Sequence, residues 1–330
     1  MGEIKDPTRD KGDSATPETE KIQDIRVAVS ELRGDNVLDE ETIGRADLVE
    51  LKFLDKEGVQ PKERLVHIFP YYERAGNKVS LDIAGEDFAQ NVQNLGLPEK
   101  INQIDPEWVS LHFGWMADPS KISLAEMKKY RKPEISAEDE EKLFRAVCSN
   151  INSAKQLFGG REILLENLDF IPNEKHGGTA ILMSDPQFIS RVLEETGTGL
   201  LLDLEHALVS ARNLGMKYSE YLSKLPLDKV REIHASRPAA VKRTDDLRAR
   251  GKDLTKEDED LDFLVDTHRS LTTPDGKFSK RLQVLFKAFA NKMPNLRVIT
   301  IELNLPPDQM QDNIAEIKDV INRIKQEKAK

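Results

Sequence analysis

Four short apolar runs in this sequence each carry a histidine in or just beyond their second half: His67 in LVHIF, His112 in VSLHFGW, His234 in REIHASRP and His268 in VDTHRS. His206 follows a fifth run, and acids close the others: Glu166 in ILLEN, Asp203 in GLLLD, Asp266 in DFLVD and Glu302 in ITIELN. Imidazole nitrogen mixed with carboxylate oxygen is the donor set of iron, manganese or zinc, whereas calcium and magnesium favour oxygen alone. Taken singly, each residue has a plainer explanation, as a hydrogen-bonded structural histidine or as an acid that caps the next helix. Taken together, acids at the ends of apolar segments are costly to bury without a cation. The pattern therefore predicts a centre for two or three divalent ions, with His67, His112, Glu166, Asp203, His234, Asp266, His268 and Glu302 as ligands.

Such residues are far apart in sequence, so something must bring them to one place. Eight candidate strands can be counted, at Asp47–Phe53, Arg64–Phe69, Glu107–Phe113, Glu162–Glu166, Gly199–Asp203, Val230–His234, Asp262–Asp266 and Arg297–Glu302. They alternate with helical patterns, which predicts an α/β fold of one (β/α)8 barrel (a TIM barrel), whose chemistry sits at the C-terminal ends of its strands. Ser136 and Asp139 resemble a capping box before the stripe Leu143, Val147, Ile151, Ala154 and Phe158, which stops at Gly159–Gly160. Asp185–Pro186 opens a helix that runs to Gly197, and Phe278, Leu282, Leu285 and Phe289 mark another. Met310, Ile314, Ile317, Ile321 and Ile324 mark the last.

Residues 1–22 are polar and charged, and are expected to form a disordered tail before a single metal-binding domain over 23–330. Residues 70–106, with a Phe88–Val92–Leu95 helix, and the charged stretch Ser236–Glu259 are long enough to serve as lids. Asn167, Glu205, His206, Arg237 and Trp115 are candidates for a pocket or for supporting the ligands, with Tyr71 and Tyr72 as further wall residues. Glu50 and Lys52 share one face of their strand, from which they could reach the mouth or form a simple ion pair. His176 is read as a loop residue.

The charge balance is −10 with no block of Lys and Arg, which argues against a nucleic-acid partner. No apolar run approaches the roughly 20 residues that cross a bilayer, and no secretory signal is evident, so the expected location is cytoplasmic. The one cysteine, Cys148, falls on an amphipathic helix and is expected to be buried and inert; any metal must be held by nitrogen and oxygen. No dinucleotide, P-loop or GxSxG motif is present.

The succession LVHIF, VSLHF, ILLENLDF, GLLLDLEHALVSARNLG, REIHASRP, VDTHRS and TIELN resembles the multinuclear non-heme iron-dependent oxidative enzymes, also catalogued as domain of unknown function 692, over Asp47 to Asn304. The resemblance implies a xylose-isomerase-like barrel with two or three iron ions, and assigns the same eight residues as ligands. It also implies dioxygen as oxidant and a ribosomally made peptide as substrate, often presented by a partner protein. The chain departs from the family pattern at Ser110–Leu111–His112, where Ser-Asp-His is typical, at Glu205–His206, and at Ala235–Ser236–Arg237–Pro238. It is thus read as a divergent member, acting on a peptide or a small molecule, with manganese or zinc as alternatives to iron. Rival readings are a sugar-isomerase-like or endonuclease-like metalloenzyme and a non-catalytic binding barrel.

Overall fold

Short β-rich runs separated by amphipathic helices close into one parallel barrel in the computed structural model, which describes residues 25–30, 38–52, 63–74, 77–114, 136–170, 181–236, 241–242, 244, 248, 264–265, 268, 270–271, 280–303 and 307–328. The strands in chain order are β1 (Arg26–Ser30), β2 (Leu48–Leu51), β3 (Arg64–Ile68), the hairpin β4 (Tyr71–Arg74) and β5 (Asn77–Ser80), β6 (Trp108–Phe113), β7 (Glu162–Asn167), β8 (Gly199–Asp203), β9 (Val230–Ala235), the pair β10 (Val241–Lys242) and β11 (Leu264–Val265), and β12 (Val298–Ile301). The barrel runs β1-β12-β9-β8-β7-β6-β3-β2, with β2 returning to β1.

Two expectations about strands need correction. The barrel strand expected at Asp262–Asp266 is instead the two-residue β11, paired antiparallel with β10 outside the barrel. Only a few apolar residues there stand among charges, too few to fill an interior on one face and pack helices on the other. The eighth strand is β1, which the sequence reading passed over because RVAVS is short and follows a polar stretch. The expected tail at 1–22 lies outside the described residues, as do His176 and most of Ser236–Glu259.

Side chains alternate along a strand, and that alternation builds the interior in tiers. Ala28, Leu48, Leu65, Trp108, Leu164, Leu201 and Val298 form a separate buried cluster that plugs the N-terminal end of the barrel. Gly199 makes room there: a Cβ on it would sit 2.6 Å from Leu164 Cδ2. Two residues further along the same strands the interior turns polar, with Ser30, Glu50, His67, Ser110, Glu166, Asp203, His234 and Thr300 all buried. The intervening positions, such as Val29, Val66, Leu111, Leu165 and Ile299, join the larger core beneath the helices.

Among the described residues the helices are α1 (Glu40–Arg45), α2 (Phe88–Asn94), α3 (Leu97–Ile104), α4 (Ala137–Leu157), α5 (Pro186–Thr196), α6 (Leu204–Asn213), α7 (Tyr218–Lys224), α8 (Lys280–Phe289) and α9 (Pro307–Lys328). Their ends follow the capping signals. Ser136 accepts from the Asp139 amide at the start of α4, and Asp185 accepts from Gln187 and Phe188 at the start of α5, which ends on Gly197 at φ 60°. Cys148 is buried on α4, and burial pushes its thiol up to about 11, as expected of an inert residue. Of the region proposed as a lid, residues 77–106 hold β5, α2 and α3, where Asn150 of α4 ties down the Ile83 and Gly85 carbonyls. No described helix is long and apolar enough to cross a membrane.

Candidate metal centre

The barrel register sets the ligating side chains beside one another. His112 on β6 is the direct neighbour of Glu166 on β7, and Asp203 on β8 is the neighbour of His234 on β9. Glu166 Oε2 lies 3.0 Å from His112 Nε2 and 3.3 Å from His67 Nε2. Its other oxygen, Oε1, lies 3.3 Å from His234 Nδ1. His234 Nδ1 is also 2.6 Å from Glu302 Oε2 and 3.9 Å from Asp203 Oδ2. Among the described residues three groups are compact enough to hold an ion, His67 with His112 and Glu166, Glu166 with Asp203, His234 and Glu302, and Glu50 with His67 and His234; Glu166 belongs to the first two.

The electrostatics fit a cation. Among the described residues, Glu50, Glu166, Asp203 and Glu302 bring four carboxylates into the mouth against the Lys52 ammonium and the His234 ring, an excess that is costly to bury alone. Burial opposes the charged form of Glu166, yet the His112 ring beside it holds its carboxyl well below the usual range. Burial likewise opposes charge on Glu302, which Lys52 and the neighbouring histidines outweigh, holding it well below its ordinary value. Burial pushes His67 down to about 3, so that ring is neutral.

The protons follow from the hydrogen bonds. The Ser110 hydroxyl donates to the Val66 carbonyl at 3.2 Å and so accepts from His67 Nδ1 at 2.8 Å. That leaves His67 Nε2 as a bare lone pair directed at Glu166 Oε2, and neither atom has a hydrogen-bond partner among the described residues. Two lone pairs facing each other in a buried site repel unless a positive centre lies between them, which is the arrangement a metal ion satisfies.

Asp203 serves two roles at once. Its Oδ1 accepts from the His206 amide at 2.7 Å and caps α6, while Oδ2 faces His234. Asn167 reaches across from β7, donating to the Asp203 carbonyl at 3.0 Å and accepting from its amide at 2.9 Å, so the ends of the two strands are locked. His206 has Nδ1 3.0 Å from the Asn167 carbonyl and 3.4 Å from Glu166 Oε1. Glu205 is buried and accepts from Ser236 at 2.7 Å. His268 sits at φ 44°, a left-handed conformation, with Nε2 4.0 Å from Glu302 Oε1 and its ring 5.6 Å from that of His206. Asp266, Arg237 and Trp115 lie outside the described residues.

β2 and the residue after it bring charge into the mouth as well as an ion pair. Lys52 makes ion pairs with Glu302 and, at 3.8 Å, with Glu50, while Glu50 Oε2 lies 2.8 Å from His234 Nε2. Burial works against charge on Glu50, but His234 and Lys52 bring it down to about 2. Burial also disfavours an ionised His234, and Glu50 and Glu302 overcome it, raising His234 well above the usual range. The signal was the spacing Leu48, Glu50, Lys52, which puts both charges on the face that plugs the barrel. One tier below, Glu232 accepts from Trp108 Nε1 at 2.8 Å and from Thr300, and burial, with Glu50 nearby, raises it to about 7. Of the aromatic candidates, Tyr72 is partly buried and donates from its hydroxyl to the Lys52 carbonyl at 3.2 Å.

A family model described as RiPP precursor modification enzyme MbnB/TglH/ChrH matches residues 47–322. That span runs from β2 into α9 and leaves out only β1 of the barrel strands. A UPF0276 protein of Caulobacter vibrioides is 26% identical over 248 residues, 74% of each chain. A UPF0276 protein of Paraburkholderia phytofirmans is 34% identical over 122 residues, 37% of this chain and 34% of its own. Among solved structures, the mannonate dehydratase of Streptococcus suis superposes with a TM-score of 0.56 at 10% identity, covering 93% of this chain and 95% of that one. An AP endonuclease, family 2, from Brucella melitensis gives 0.51 at 14% identity, covering 90% and 98%. At such identities the structural likeness shows the shared barrel alone. The family match carries more, since it spans most of the chain and all seven ligand candidates that the structure describes: the chain belongs to the RiPP precursor modification enzyme family MbnB/TglH/ChrH.

Proposed function

We propose that the protein is a multinuclear non-heme iron oxidoreductase that oxidises a peptide or small-molecule substrate with dioxygen. One ion would be held by His67, His112 and Glu166, and a second by Glu166, Asp203, His234 and Glu302. By the family resemblance, Asp266 and His268 would serve a third. The observation that carries this reading is Glu166, one buried carboxylate that offers a separate oxygen to each of two ligand groups. Ferrous iron with open coordination positions supplies dioxygen activation and one-electron chemistry that no side chain here can provide.

The protein's own residues hold the centre in order. Ser110 keeps the proton of His67 on Nδ1, leaving Nε2 for the ion. Phe69 stands with its ring 5.6 Å from His67 and 5.4 Å from His112, an apolar wall that limits water on that side. Lys52 engages Glu302 Oε1, which leaves Oε2 directed at the cluster. The family's substrate class suggests a ribosomally made precursor peptide, brought with or without a presenting partner protein.

Protein purified without oxygen and reconstituted with ferrous iron alone should retain two or more iron atoms per chain. It should then consume oxygen only when substrate is added. Fewer than one iron atom retained per chain, or no oxygen consumption when substrate is added to the iron-loaded protein, would overturn the assignment of the metal.

A further inference from the structure

We propose that Glu50 is a positioning residue for the metal centre, which accepts a hydrogen bond from Nε2–H of His234 and so turns Nδ1 of that ring towards the ligand cluster. The inference rests on the metal-binding reading above and goes beyond its ligand set. His234 and Glu50 are both fully buried, with Nε2 and Oε2 2.8 Å apart. On the opposite edge, Nδ1 faces Glu302, Glu166 and Asp203 at 2.6, 3.3 and 3.9 Å and has no hydrogen bond of normal geometry among the described residues. One edge of the ring is thus committed to an acceptor and the other to the cluster.

Glu50, His67 and His234 could also be read as a metal site of their own. That would require His234 to ligate through both nitrogens, since Nδ1 already faces Glu302, Glu166 and Asp203. The Lys52 ammonium stands 3.8 Å from Glu50 Oε1 and in contact with Glu302. Lys52 instead holds Glu50 and Glu302 together, one carboxylate on each side of the His234 ring. Its reach is possible because β1, which lies between β2 and β12, contributes only Ala28 and Ser30 to this part of the interior. Ligating histidines commonly donate their second ring nitrogen to a carboxylate, and loss of that partner typically costs roughly 10- to 100-fold in metal affinity.

The test uses the full chain, stripped with chelator and titrated with zinc alone against a chromophoric competitor. It compares wild type, Glu50→Gln and Glu50→Leu, and adds long-range proton–nitrogen spectra of the histidine rings in each zinc-loaded protein. Gln keeps an oxygen that can accept from Nε2, though more weakly than a carboxylate; Leu keeps none. The expected result is an unchanged zinc count, affinity falling in the order wild type, Gln, Leu, and a His234 signature of protonated Nε2 with metal-bound Nδ1 that weakens in the same order. Thermal unfolding of the zinc-free proteins separates this from a loss of fold. Equal affinity in all three would overturn the proposal. So would a zinc count lower by one in the variants, which would make Glu50 a ligand. A wild type that takes up no metal would instead overturn the metal reading itself.

Discussion

Replacing Glu166 by Gln keeps the shape of the side chain and removes the one charge that both ligand groups share. For a manganese(II) concentration about 100 times the dissociation constant, each filled site stabilises the folded chain by about 2.7 kcal/mol. Unfolding entropy of about 2.1 cal/mol/K per residue over 330 residues is about 0.7 kcal/mol/K, so each site should raise Tm by about 4 °C and two by about 8 °C. If the lost charge weakens both sites by about 100-fold, each keeps no more than about 0.4 kcal/mol, and the residual shift falls to about 1 °C in total. His112→Ala removes a donor from the first group alone, and Asp203→Asn weakens the second alone, because Asn retains an oxygen to cap α6. Calorimetry with and without manganese(II), together with metal counting by atomic emission, should give half the wild-type shift and one lost ion for each of these two variants. Glu166→Gln should lose both. A Glu166→Gln protein that keeps one ion and half the shift would refute the shared-carboxylate reasoning, as would loss of both ions in His112→Ala.

Two further predictions concern stability alone. Asp82 is buried, accepts from the Ala84 amide at 2.9 Å, and is raised by burial from 3.8 to about 7. Between about pH 4 and pH 7 the native state keeps this proton while the unfolded chain loses it, so stability should fall as pH rises through that window and level off above it, by at most about 4 kcal/mol. Asp82→Asn should flatten that part of a denaturant-midpoint against pH curve; an unchanged slope would remove Asp82 as its cause. Gly199→Ala should cost about 1–3 kcal/mol in urea unfolding, because the new methyl would press on Leu164 Cδ2. Leu164→Val in the same chain should recover part of the loss, and no recovery would refute the steric account.

Much of the centre could be read from the chain because alternation in a strand is strict. Once VSLHF and ILLEN are taken as strands, His112 and Glu166 must point the same way as Trp108 and Leu164, into the barrel. Helix ends at Ser136, Asp185 and Gly197 were legible for a similar reason, since capping is local chemistry. What failed was the inventory of strands. RVAVS offers only small and β-branched residues, and its membership is decided by pairing with β2 and β12, which are remote in sequence. The run DFLVD has the composition of a strand end, yet its Leu264 and Val265 pair with β10. The part played by Glu50 was hidden too, because an acid and a lysine two residues apart look like a self-satisfied pair until His234 is seen on the far side of the acid.

β1 has a consequence for the order in which the protein becomes competent. Arg26 pairs with Val298 and Ala28 with Leu48, so β1 is the seam that joins the first and last thirds of the chain. Contacts between such distant segments carry the largest loop-closure entropy and tend to be late in folding. Lys52 and Glu50 stand on one side of that seam, and Glu302 and His234 on the other. Both ligand groups lie on runs of consecutive barrel strands, β3-β6-β7 and β7-β8-β9-β12, so a chain with an open seam could gather either of them but not the bridge from β2 to β12. Ring closure therefore adds no ligand; it delivers Glu50 and Lys52 to His234 and Glu302, so the last step in building the scaffold is the one that locks a centre whose donors are already gathered.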